Sequence, residues 1–289
     1  MVAAAERADA QHVPGRDLLH FPLGTMDRPS ALGRGVGDGL GNPAGVSLDS
    51  TLRASAGIAA LQTPADQGVS AQLLAVAVAL PGRLTAALAI ARFGVDGILR
   101  TETDPQSVGG KVPYGTTLYS ATVARRHGRY LAAGLAVRYR RGEMDAESRG
   151  AFGLDAGLLA ERLPYRDASV GVASFMWRPA NAELERTALN VAADLRLAGR
   201  TEERQIRVGY GLTLTEGGQR EELGMISGRF GMWDLRAGIS RNTHYGFDDW
   251  RARYGVGLQY DRYRVGVARE ANGAGLDPLY QFSLSATLR

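Results

Sequence analysis

The 289-residue chain contains no cysteine, so a disulfide framework and a thiolate metal site are both excluded. Lys111 is the only lysine among 34 basic residues. The others are arginines, scattered along the chain and interleaved with 30 acids. A nucleic-acid surface gathers its bases on one face or in one run; no such run exists, and nucleic acid is not an expected partner. The four histidines, His12, His20, His127 and His244, lack the spacing of a helical or ribbon metal site, so neither a metal nor a cofactor is expected. A Gly-x-Ser-x-Gly elbow is missing as well. Long apolar runs are absent: the longest, Leu73 to Leu80, falls far short of the roughly 20 residues that a membrane helix needs. The N-terminus lacks the apolar core of a secretory signal. Ala8-Asp9-Ala10 has the small-x-small form of a cleavage site, so residues 1–10 read equally as a signal-peptide remnant or an Ala-rich disordered tip.

What is present is glycine, 38 copies of it, in a chain 45% hydrophobic and 22% charged. That composition is neither disordered nor collagen-like. Residues 1–50 stand apart, with Pro14, Pro22, Pro29 and Pro43, and glycine at every second position from Gly33 to Gly41. Such a segment forms neither a regular helix nor a central strand. The glycines also lack the G-x-G-x-x-G order of a phosphate cradle.

From Leu52 onward the pattern is period-2 alternation. Leu189, Val191, Ala193, Leu195 and Leu197 oppose Asn190, Asp194 and Arg196. Ile206, Val208, Tyr210, Leu212 and Leu214 oppose Arg207, Gly209, Gly211 and Thr213. Trp250, Tyr254, Val256, Leu258 and Tyr260 oppose Arg251, Arg253 and Gly255; Tyr280, Phe282, Leu284, Ala286 and Leu288 oppose Gln281, Ser283, Ser285 and Thr287. Successive strand side chains point to opposite faces, so each run is a ribbon with one apolar and one polar side. About fourteen such strands centre near residues 57, 75, 88, 121, 135, 154, 172, 193, 210, 226, 237, 255, 266 and 284. The pair near 226 and 237 also reads as one bent element. Turn chemistry falls between them at Pro81-Gly82, His127-Gly128, Gly217-Gly218 and Asn272-Gly273.

Either a soluble sandwich or small barrel turns the apolar faces inward, or an outer-membrane barrel turns them to lipid. Three features favour the second. The polar face carries arginine, aspartate and glycine, and Asp194/Arg196 and Asp234/Arg236 sit two apart, where arginine's fork suits a ladder of pairs across a narrow lumen. Tyr119, Tyr139, Trp250, Tyr260 and Tyr280 lie toward strand ends, like an interfacial girdle. The alternation also runs to the last residues, so the final strand can close on the first and abolish both edges.

The stretch from Arg28 to Val46, glycine-rich and ending in Asn42-Pro43-Ala44-Gly45 just before the first strand, resembles the N-terminal signature of the FadL-like outer-membrane barrels, including the PorV/PorQ branch. Here the spacer before the tetrapeptide is shortened to Asp38, and the chain ends Leu288-Arg289 rather than in an aromatic residue. The resemblance implies an all-β fold, a transmembrane antiparallel meander barrel of fourteen strands with an N-terminal plug in the lumen. The division is then 1–10 remnant or tip, 11–50 plug, and 51–289 barrel, in the cell outer membrane. It further implies a passive transporter for small hydrophobic solutes such as fatty acids, not an enzyme. The alternative within the same resemblance is a structural, PorV-like platform for partner proteins.

Expected site residues are the gate motif Asn42, Pro43, Ala44 and Gly45, and the lumen-facing charges Arg53, Arg138, Asp155, Asp194, Arg196, Arg207, Asp234, Arg236, Arg251 and Arg253, with Arg140 and Arg264. Expected partners are outer-membrane lipid, a hydrophobic small molecule in the lumen, and proteins at the loops. A transporter should hold an apolar cavity between the plug and the strand near 57; a platform should have a filled lumen. The one enzymatic candidate is a rim group of His244, Tyr245 and Asp248, which reads more simply as a polar loop tip.

Overall fold

The computed structural model describes residues 13–38, 40–49, 51–64, 68–101, 108–177, 188–201, 203–215, 218–244, 247–271 and 278–289. The expectations for residues 1–10, His12, Gly217, Tyr245 and Asn272-Gly273 fall outside them, as do the side chains of His20, His244 and Asp248.

Sixteen strands follow a lead of short 3₁₀ turns: β1 Ala54–Gln62, β2 Val69–Leu80, β3 Leu84–Val95, β4 Leu99–Thr101, β5 Val108–Lys111, β6 Tyr114–His127, β7 Leu131–Met144, β8 Glu147–Leu163, β9 Ala168–Phe175, β10 Ala188–Thr201, β11 Arg204–Thr215, β12 Arg220–Phe230, β13 Trp233–His244, β14 Phe247–Tyr260, β15 Tyr263–Ala271 and β16 Leu279–Leu288. Fourteen of them form one closed antiparallel barrel in which β1 pairs with β16. β4 and β5 make a separate two-stranded sheet inside the β3–β6 connection, which period-2 reading did not separate because each is too short to show a period. The stretch near 226 and 237 is two strands, joined at Gly231-Met232, where Gly231 adopts φ +62°.

Closure satisfies every edge, and the pleat then sorts the side chains. Outward positions are apolar and exposed around the whole wall: Leu74, Leu88, Leu135, Val208, Ile239 and Val265 are examples. A continuous exposed apolar belt on a closed barrel is the lipid-facing surface of an outer-membrane protein. Both strand termini of the barrel and the short connections, such as 128–130, 231–232 and 261–262, share one end. That end is periplasmic by the usual asymmetry of such barrels, and the longer connections are extracellular.

The aromatic residues form two outward belts. Tyr130, Tyr165, Trp233, Tyr260 and Tyr263 ring the turn end. At the opposite level Tyr119 stacks on Tyr139 and Tyr139 meets Phe152 at a tilt, with ring centroids 6.2 and 4.8 Å apart. Tyr119 and Tyr139 are not at strand ends by count, because β6 and β7 extend 14 residues each. From Tyr119 to His127, Tyr139 to Leu131 and Trp250 to Tyr260, however, the strands take nine to eleven residues, the length that crosses a bilayer at a tilt. The excess therefore projects beyond the lipid on the loop side.

The ladder is interrupted once next to the N-terminal segment. Between Gly157↔Ala173 in the β8–β9 pair and the isolated Leu154↔Trp177 bridge, side chains replace backbone partners. Ala156 N–H donates to Ser174 Oγ (3.0 Å) and Met176 N–H donates to Asp155 Oδ1 (2.6 Å).

Candidate functional site

The described part of residues 13–49 lies inside the barrel. Leu18, Leu23, Met26, Val36, Leu40 and Val46 pack against inward-facing Leu61, Leu73, Phe93, Leu118 and a series of alanines on β1–β3. Small inward residues on this wall let the segment approach closely, and the recess of about 300 Å³ that Ser55 and Ile58 line there also carries Asp27, Asp38, Asp49 and Glu161, so no purely apolar cavity opens beside the strand near 57. A Cβ on Gly57 would already stand 3.1 Å from Val36. The expected position of the cavity is corrected accordingly.

Asn42 holds the tightest part of the seat. It is fully buried and caps the Pro43–Val46 turn by accepting Ala44 N–H at 3.0 Å, while its Nδ2 donates to Ala31 O (2.7 Å) and Leu158 O (3.2 Å). Proline at the first position of the turn has no N–H to strand there. The turn presses on β7 and β8 at two glycines: a Cβ on Gly157 would fall 2.1 Å from Asn42 Oδ1, and one on Gly134 would fall 2.4 Å from Pro43 C. Gly45 faces Gly33, whose carbonyl a Cβ would meet at 2.1 Å, and its own carbonyl accepts Gly35 N–H at 2.8 Å.

Lumen arginines fix the segment to the wall. Arg138, fully buried, donates to Leu40 O (2.8 Å), pairs with Asp155 (2.5 Å) and lies over the Phe175 ring. Arg140 donates to Val13 O (3.2 Å) and Pro14 O (2.9 Å). On the opposite side Asp27 of the segment pairs with Arg236, which also grips Asp234 (2.7 Å), and Arg28 pairs with Asp38 (2.8 Å). Burial alone would push the Asp27 carboxyl up; the guanidiniums of Arg236, Arg28 and Arg264 outweigh it and hold the carboxyl below its ordinary range.

The remaining charges pair within and between strands. Arg207 reaches Asp194 (2.7 Å) and Asp167 (3.0 Å); Arg264 reaches Asp234 (2.8 Å). Near the loop end Arg251 bridges Asp249 (2.7 Å) and Glu270 (3.0 Å), and Arg253 bridges Glu270 (2.5 Å) and Glu221 (2.6 Å). Arg196 is half-buried beside the β10 bulge. Arg53 lies one residue before β1 and is exposed at the turn-end rim. The sequence reading passed over the acidic partners Asp27, Glu161, Glu221 and Glu270. Glu161, Glu221 and Glu270 have inward parity on their strands, which was the available signal; Asp27 has none.

Between segment and wall lies a cavity of about 140 Å³. Leu19, Phe21, Leu23 and Leu40 line it from the segment, and Phe93, Leu118, Phe175, Met176 and Leu223 from the barrel, with Arg140, Asn190, Glu221 and Arg253 as polar groups at its margin. A second, polar cavity of about 230 Å³ lies across Arg28 and Pro29, which line both. Among the described residues no group of three or more His, Asp or Glu is placed to hold a metal ion.

Comparison with family sequence models and with curated protein sequences finds no match. Solved structures share the fold. The CymD monoaromatic hydrocarbon channel superposes with a TM-score of 0.59 at 11% identity, over 97% of this chain and 99% of that one. A FadL homologue from Pseudomonas aeruginosa gives 0.57 at 11% identity, over 96% and 98%. At these identities the likeness concerns architecture: the chain has the fold of FadL-type outer-membrane barrels.

Proposed function

We propose that the barrel passes small hydrophobic solutes across the outer membrane without energy input, cofactor or catalysis, and that residues 11–50 are its plug. The observation that carries this reading is the apolar cavity between segment and wall. Its volume of about 140 Å³ approaches that of an engineered apolar cavity known to stay dry and bind benzene, about 150 Å³. One aromatic ring or a short aliphatic chain fits such a space, which favours solutes of that size over long-chain fatty acids held whole. The same scale suits the fold neighbour described as a monoaromatic hydrocarbon channel. A platform for partner proteins needs no lumenal cavity, so the open space favours passage.

In this reading the four residues from Asn42 to Gly45 anchor the plug, and Arg138, Arg140 and Arg236 latch it. A solute enters from the loop end, exchanges water for Phe21, Phe93, Phe175 and Leu223, and leaves when the segment shifts. The test is uptake of a radiolabelled one-ring hydrocarbon by cells producing the barrel. Ala188→Phe adds a ring to the cavity wall and should lower uptake roughly tenfold, the scale of removing about 1.4 kcal/mol of binding. Uptake equal to wild type at equal levels of folded barrel would contradict the reading.

A further inference from the structure

The polar cavity on the turn-end side of Arg28 and Pro29 is not needed for passage of a neutral solute, and its composition is one-sided. Seven arginines line it against three aspartates, Asp167, Asp194 and Asp234. Those aspartates are already answered: Arg207 holds Asp167 and Asp194, and Arg236 with Arg264 holds Asp234. Arg229 donates to Gln259 (2.7 Å), a neutral acceptor. Arg28 also meets Asp27 (3.5 Å) and Asp38, Arg236 also meets Asp27, and Arg34 meets Glu161; these three acids are not among the cavity's lining residues. A neighbouring recess of about 300 Å³ carries Asp27, Asp38, Asp49 and Glu161 and shares Arg28, Arg34, Arg162 and Arg264 with the chamber.

A concave site whose lining carries an excess of one sign of charge concentrates the opposite ion. Guanidinium forks match oxyanions geometrically, with two N–H groups for two oxygens. Ser169 accepts from Arg34 at 2.9 Å, which leaves its own hydroxyl proton to donate, and Ser227 lines the same space. We propose that this chamber is a second ligand site in the lumen, taking an oxyanion: a carboxylate or a phosphate. It stands in series with the apolar cavity, across the same two residues of the N-terminal segment. A solute carrying an acid group would meet guanidiniums on the periplasmic side, while a neutral one would not be held there.

The test is calorimetric titration of the full chain in detergent micelles with inorganic phosphate, with benzoate and with neutral toluene. Saturable binding of at least one oxyanion is expected. Arg264→Gln leaves Asp234 with Arg236, and Arg229→Gln removes only a bond to Gln259, so both variants should fold; each should weaken oxyanion binding about tenfold or more. Arg262→Gln, on an exposed turn outside the chamber, should change nothing. Competition between phosphate and benzoate marks one shared site, whereas binding of only one names the source of the group. Absence of saturable binding by either in a folded barrel overturns the proposal, as does binding equally strong in Arg264→Gln and Arg229→Gln. The toluene arm separates this from the passage reading: toluene bound with no oxyanion bound sinks the chamber alone, and the converse sinks the apolar site alone.

Discussion

At the scale of single residues, the segment is held by groups that cannot find other partners. Removing the Asn42 amide would leave Ala31 O, Leu158 O and Ala44 N–H unsatisfied in a buried site, and each such group costs about 1–3 kcal/mol. Asn42→Ala should therefore loosen the seat by at least about 3 kcal/mol, read as faster trypsin cleavage after Arg34, which Gly35 follows, in an otherwise folded barrel. Gly157→Ala should act the same way from the opposite side, because its methyl group would occupy the place of Asn42 Oδ1. Acid tests the Asp27 latch. Its carboxyl is held below the ordinary range, so its contribution is complete above the unfolded value near about 4 and fades as pH falls through the lowered folded value. The melting-temperature advantage of wild type over Asp27→Asn should be constant from pH 5 to 7 and shrink below about pH 4; an advantage that grows in acid would reverse the assignment. The tetrapeptide from Asn42 to Gly45 was legible in the sequence, but its partners were not. Leu158 and Gly157 lie more than 100 residues further along the chain, and no local pattern couples them to Asn42.

At the scale of elements, legibility was high because period-2 alternation is a backbone property. Each of the fourteen anticipated centres falls within a barrel strand. What remained hidden was the rim position of Arg53 and the break in the β8–β9 ladder, which depend on closure, and the β4–β5 sheet, whose strands are too short to show a period. The outward face itself makes a prediction. Leu135 is 67% exposed near the middle of the span between Leu131 and Tyr139, and an arginine at the bilayer midplane of such a barrel costs about 2–4 kcal/mol. Leu135→Arg should lose that much in equilibrium unfolding from lipid vesicles, whereas an effect under about 0.5 kcal/mol, typical of a water-exposed surface site, would mean that Leu135 does not face lipid.

At the scale of the whole molecule, one physical division explains the rest. The wall formed by β1–β3 and β6 presents many alanines and other small residues, against which the segment packs closely; the wall from β9 to β15 presents paired charges and lines most of the polar cavity. A sequence reading could say that the polar faces shared a lumen, but not which half would be filled, since that depends on the path of residues 13–49 through it. The division stands only if each ribbon turns its apolar side to acyl chains. Because the chain has no cysteine, single cysteines can be placed at positions 224 to 228 of β12 and spin-labelled without background. In lipid vesicles, oxygen accessibility should be high at 224, 226 and 228, with 225 and 227 reached instead by a water-soluble relaxation agent. The opposite alternation, or none, would contradict the account.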